Sequence, residues 1–184
     1  MKTIVAAAAL AVAATFLPGQ WLELRSDASL LRILTCHFTH WSHEQLVWDA
    51  LAFAALGIAC GRRNTRATHA TLLASVLLIP VAVLAFAPEI GAYRGLSGVA
   101  SAMFALLLTF ERRRLTWAVG ILAILFAAKL TLEAITGGAV FANDMGDSVV
   151  AVPVAHLAGA LIGVIGGFHE SRKLVALPLQ KCAR

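Results

Sequence analysis

What most constrains this chain is a rhythm of long apolar runs separated by short clusters of Arg and Lys. A bilayer core about 30 Å thick takes roughly 20 apolar residues as a helix, and fewer where a helix begins below the surface. Six candidate helices run over 4–17, 44–60, 69–86, 97–110, 115–135 and 149–168, with no soluble domain, internal repeat or low-complexity linker between them. Residues 60% hydrophobic and 14% charged, at a mean hydropathy of +0.83, could not keep their apolar surface out of water in a globule of this size. The expectation is an all-α membrane protein: six transmembrane helices in one integral-membrane domain over 1–184. Soluble enzymes and disordered tails are excluded.

The first run admits two readings. Lys2 followed by an Ala-rich stretch, with Ala-Val-Ala at 11–13, fits a cleavable signal peptide as well as a retained helix. The retained helix is the preferred one, and the remaining topology is the same either way.

The net charge of +5 would suggest nucleic acid only if the basic residues formed one surface. Instead Lys2, then Arg62, Arg63 and Arg66, then Arg112, Arg113 and Arg114, then Arg172, Lys173, Lys181 and Arg184 fall on one side of the predicted membrane. Arg25, Arg32 and Arg94 fall on the other, diluted by Glu23, Asp27, Glu89, Asp144 and Asp147. Cytoplasmic loops carry the excess of Lys and Arg, so both termini are expected in the cytoplasm, with the lipid bilayer and not nucleic acid as partner. Cys36, Cys60 and Cys182 form no CxxC pair and no disulfide framework.

Polar side chains inside apolar helices are costly, so each is a functional candidate. Asp49 lies 13 residues before Arg62, Ser97 lies 14 before Glu111, and His156 lies 13 before His169. At about 1.5 Å per residue, all three sit roughly 20 Å above the cytoplasmic boundary, in one layer about 10 Å below the outer surface. The run beginning at Ser97 is too short to cross the core unless it starts inside it, which buries its N-terminus. There Gly95-Leu96-Ser97-Gly98 brings backbone close to a ligand, and free helix amides can stabilise an oxyanion. Ser97 is therefore placed as a nucleophile would be, although a serine there can equally cap the helix. His156 needs a polar partner, and the small faces of Gly159 and Gly163 allow a helix carrying Ser97 to approach it.

Gly95-Leu96-Ser97-Gly98, followed one helical hairpin later by Ala155-His156-x-x-Gly159-x-x-x-Gly163, resembles the rhomboid intramembrane serine proteases. The segment 32–57, with Arg32, Thr35, His40, Ser42, Asp49 and Gly57, looks like that family's second helix and its approach. The resemblance covers nearly the whole chain. It implies Ser97 as nucleophile and His156 as general base and acid, with His40, Gln45, Asp49 and Gly95 as oxyanion and substrate-binding positions. It also implies only two catalytic side chains and no metal or organic cofactor. The family's second helix usually carries a His, another His five residues on, and an Asn four further; here these are His40, Gln45 and Asp49. Gln45 can donate to an oxyanion, whereas Asp49 can do so only when protonated, a form that burial favours. The first external loop, 21–31, is shorter than in many rhomboids.

Thr35-Cys36-His37-Phe38-Thr39-His40-Trp41, Asp49 and Tyr93-Arg94-Gly95-Leu96-Ser97-Gly98 look most like the rhombosortase branch. That likeness implies an endopeptidase of the bacterial inner membrane, open to the outer side. Its substrates would be membrane-anchored exported proteins bearing Gly-Gly, a C-terminal helix and a basic tail, with the cut near Gly-Gly. A helix unwinds readily at glycine, which suits a shallow buried site. External loops 88–93 and 139–148 are candidates to gate access to it.

Three rivals remain. Lys129 reaches about the depth of Ser97 and would serve a Ser/Lys peptidase, but Glu133 lies one turn on, so a buried ion pair is expected and Lys129→Met should spare proteolysis. Cys36, His37, His40 and His43 would suit a metal, without a second ligand cluster. A non-catalytic rhomboid-like membrane chaperone would have no use for Ser97 and His156.

Overall fold

The computed structural model describes Ala13 and residues 17–27, 29–112, 116–137 and 152–181, of which 170–181 as backbone alone. The helix expected over 4–17 and the loop at 139–148 fall almost wholly outside the described residues. Seven α-helices are described: α1 (Gly19–Leu22), α2 (Leu30–Thr35), α3 (His43–Arg63), α4 (Thr65–Phe86), α5 (Ser97–Glu111), α6 (Trp117–Thr136) and α7 (Pro153–Lys181). Among the described residues there is no strand, only one antiparallel bridge between Leu24 and Tyr93. The fold is an all-α membrane bundle. Helices α3, α4 and α6 are long and apolar enough to cross a bilayer, while α5 and the apolar Pro153–His169 part of α7 are shorter.

Side-chain caps fix several helix starts. Ser42 accepts the Gln45 amide at 3.1 Å to begin α3, Asn64 accepts the Ala67 amide at 3.0 Å to begin α4, and Thr116 accepts the Val119 amide at 3.4 Å to begin α6. Proline at the first position of α7 costs no hydrogen bond, since that amide has no helical partner, and it sets the start later than the apolar run suggested. The same helix continues past residue 168 into the basic segment, because leaving the apolar layer removes the need for apolar residues but not the helical hydrogen bonding. Residues 21–31, expected as a plain loop, include the end of α1 and the start of α2, the latter capped by Ser29.

The core lies where α5 meets α7. A Cβ at Gly159 would run into the carbonyl oxygen of Gly98, and one at Gly163 into that of Ala102, so the two backbones are in contact. Val99, Ala102, Met103 and Leu106 of α5 are fully buried beside this seam, with Phe53 of α3 and Ile79 of α4 packed around it.

Within α4, Pro80 has no amide to offer the carbonyl of Val76 one turn earlier. His37, in the 3-10 turn Cys36–Phe38, fills that gap: its Nε2 lies 3.1 Å from the Val76 oxygen and donates to it. In an apolar layer such a carbonyl must find a donor. His37→Leu should therefore destabilise the protein by about 1–3 kcal/mol, measured as a lower unfolding midpoint in detergent micelles, while Pro80→Ala should rescue much of that loss by restoring the helical donor.

Candidate active site

The backbone leading into Ser97 is clamped from three directions. Leu24 and Tyr93 exchange main-chain hydrogen bonds of 3.1 and 2.9 Å, and the Gly95 amide donates to the Cys36 carbonyl at 3.0 Å. Asp49 Oδ2 accepts the Leu96 amide at 3.1 Å. Gly95 adopts φ +122°, a region that side chains disfavour, and a Cβ there would meet Gln45 Nε2 at 2.8 Å and Asp49 Oδ2 at 3.1 Å. Only glycine fits this approach. Outside the clamp, buried Glu23 holds Arg25 at 2.5 Å and Arg94 Nε at 2.7 Å, and the Arg94 guanidinium stacks 4.0 Å over Trp41.

Ser97 is the first residue of α5, and its hydroxyl does not cap the helix; Leu96 occupies the cap position without a side-chain hydrogen bond. The hydroxyl instead lies 2.8 Å from His156 Nε2. His156 sits in the first turn of α7, 7% exposed, one turn before the Gly159 contact. Its other nitrogen, Nδ1, is 2.7 Å from Glu133 Oε2 on α6. Glu133, 1% exposed, also receives Lys129 Nζ at 2.7 Å on Oε1 and 2.8 Å on Oε2. For Nε2 to accept from the serine hydroxyl, the ring proton must sit on Nδ1, where it donates to the carboxylate. A hydroxyl aligned in this way can lose its proton as it attacks an electrophilic carbon.

Of the other residues singled out in the sequence, His40, Gln45, Asp49 and Gly95 gather around the approach to Ser97. Gln45 Oε1 accepts the Trp41 amide at 2.8 Å, leaving its Nε2 beside Gly95. His40 Nε2 comes within 3.4 Å of Asp49 Oδ2, yet neither ring nitrogen of this buried histidine makes a hydrogen bond among the described residues. Asp49 acts here as an acceptor that shapes backbone. Lys129 is bound to Glu133, as the ion pair expected from their spacing, and not to Ser97. The Cys36, His37, His40 and His43 run does not converge: His37 serves Val76, and among the described residues no three His, Cys, Asp or Glu side chains form a metal-ligand group.

The residue not foreseen as part of this set is Glu133. It lies one turn beyond Lys129, which reaches about the depth of Ser97, so its Cα sits a turn above that layer. Helical side chains lean toward their helix's N-terminus, and a glutamate is long enough to reach back down to His156. The usable signal was the second nitrogen of His156, which in an apolar layer needs a partner of its own.

The chain matches the Rhomboid domain family over residues 27–173. It belongs to the rhomboid family, known for serine intramembrane proteases, and the match takes in α2 to the basic part of α7, with Ser97, His156, Glu133, Lys129, His40, Gln45, Asp49 and Gly95. No curated protein matches the chain.

Proposed function

We propose that this protein is an intramembrane serine endopeptidase of the rhombosortase type, with Ser97 as nucleophile and His156 as general base and then general acid. The observation that carries the reading is the 2.8 Å contact between Ser97 Oγ and His156 Nε2 at the buried start of α5. Ser97 attacks a peptide carbonyl, His156 takes the hydroxyl proton and delivers it to the leaving amine, and water or another amine resolves the acyl-enzyme. His40, whose ring nitrogens make no hydrogen bond among the described residues, and Gln45, whose Nε2 lies beside Gly95, support a role in holding the oxyanion, since a buried donor ordinarily has a partner.

The substrate in this reading is an exported protein anchored by a C-terminal helix with Gly-Gly before it and a basic tail after it. The enzyme lies in a bacterial inner membrane with both termini cytoplasmic and the site opening outward. Support for the orientation comes from charge. Arg62, Arg63, Arg66 and Arg112 lie at the end of the bundle where Arg63 pairs with Glu111 at 2.6 Å, and the serine is roughly 20 Å from that end along α5.

The test is cleavage of a membrane-anchored reporter carrying Gly-Gly, an apolar helix and a basic tail, beside one in which Gly-Gly is replaced by Leu-Leu. The first is cut and the second is spared by a factor of at least tenfold, with Ser97→Ala as the blank. Equal cutting of both reporters would sink the Gly-Gly specificity, and equal processing by wild type and Ser97→Ala would sink the protease.

A further inference from the structure

Helix α6 is almost entirely turned outward. Trp117, Ile121, Leu122, Ile124, Leu125, Leu132 and Ile135 are all exposed in the bundle and face lipid, and Glu133 is the one buried residue of the helix. A lipid-facing helix that buries a single side chain would ordinarily bury an apolar one, because an ion in hydrocarbon costs several kcal/mol unless it is paired. This one buries a carboxylate, aimed at the nitrogen of His156 opposite the serine.

We propose that Glu133 is a positioning residue for His156, so that the site works as a Ser97–His156–Glu133 triad, with Lys129 as the carboxylate's ion-pair partner. This rests on the peptidase reading and replaces its two-residue site with three. The carboxylate, accepting from Nδ1–H, keeps Nε2 free to take the serine proton and stabilises the imidazolium that forms when it does. The proton goes from Ser97 Oγ to Nε2 and from there to the leaving amine, never to Glu133. Lys129, with its ammonium against both carboxylate oxygens, pairs the buried charge of Glu133 and fixes the carboxylate opposite Nδ1. The ion pair expected from the spacing is thus part of the site, and the serine's partner is the histidine, not the lysine.

Glu133→Gln keeps the size of the side chain and an oxygen for Lys129, but can turn its amide N–H toward Nδ1 and impose the wrong tautomer. The rate of Ser97 labelling by a fluorophosphonate, measured on the full-length protein in micelles, should fall on the order of 10³-fold. Nitrogen-15 spectra of histidine-labelled protein should place the ring proton of His156 on Nδ1 in wild type and on Nε2 in Glu133→Gln, a change that a merely structural contact would not produce. Because a lone buried Lys129 could weaken the fold, Lys129→Met/Glu133→Leu removes both charges together and should lose labelling to a similar extent. Wild-type labelling in either variant, or an unchanged tautomer in Glu133→Gln, would overturn the triad while leaving Ser97 and His156 standing. A wild-type protein that labels no faster than Ser97→Ala would instead bring down the peptidase reading, and the triad with it.

Discussion

Ser97→Ala, His156→Ala and the double variant should all cleave the Gly-Gly reporter at one common residual rate, on the order of 10⁴-fold or more below wild type. The single losses do not add, because the two groups perform one act. A hydroxyl without its imidazole keeps its proton, and an imidazole without its hydroxyl has nothing to deprotonate. The folded state should survive each change, since Ser97→Ala removes one hydrogen bond and His156→Ala two, each with a net worth of about 1 kcal/mol, and the unfolding midpoint in micelles checks this. The informative variant is His156→Ala. If it retained a substantial share of the wild-type rate while Ser97→Ala did not, another base would serve the serine, and Lys129 would become the candidate despite its contact with Glu133.

Sequence alone carries the layer of polar residues but not the connections across it. Counting from charged helix ends puts Asp49, Ser97 and His156 at one depth, and the structure brings Ser97 to His156 and Asp49 to the Leu96 amide. The small-residue face at Gly159 and Gly163 likewise foretells which side of α7 meets α5. Depth counting fails for Glu133, because it follows Cα positions and the carboxylate reaches its partner through the backward lean of a long side chain. Asp49 Oδ2 accepts a backbone amide from another segment, a contact that its position in the sequence does not reveal. His37 looked like part of a metal run because its spacing to His40 and His43 is local. Its function is set by Pro80, 43 residues away, through the carbonyl that the proline leaves free. Periodicity and depth are local properties and are legible; hydrogen-bond partners across helices are not.

The seam between α5 and α7 predicts the other large effect. Gly159→Ala should lower stability by about 1–3 kcal/mol and slow labelling of Ser97 by roughly 10²-fold, because a methyl group there is directed into the Gly98 carbonyl oxygen and the helices must part. That carbonyl belongs to the residue after Ser97, and Gly159 lies one turn from His156, so the displacement falls on the 2.8 Å contact itself. Gly163→Ala makes a comparable clash with the Ala102 carbonyl, one turn farther along, and should cost similar stability with a smaller loss of rate. Gly120→Ala, on α6 with no atom within 4 Å of the added carbon, should leave both measurements at or slightly above wild type. Unfolding midpoints and labelling rates for the three variants separate packing from alignment. If Gly159→Ala and Gly163→Ala lost rate equally, the contact between Ser97 and His156 would depend on the bundle as a whole and not on the close approach at Gly159. If Gly159→Ala kept the wild-type rate, the two helices would have enough freedom to absorb a methyl group without disturbing the site, and the seam could not be what holds the serine against the histidine.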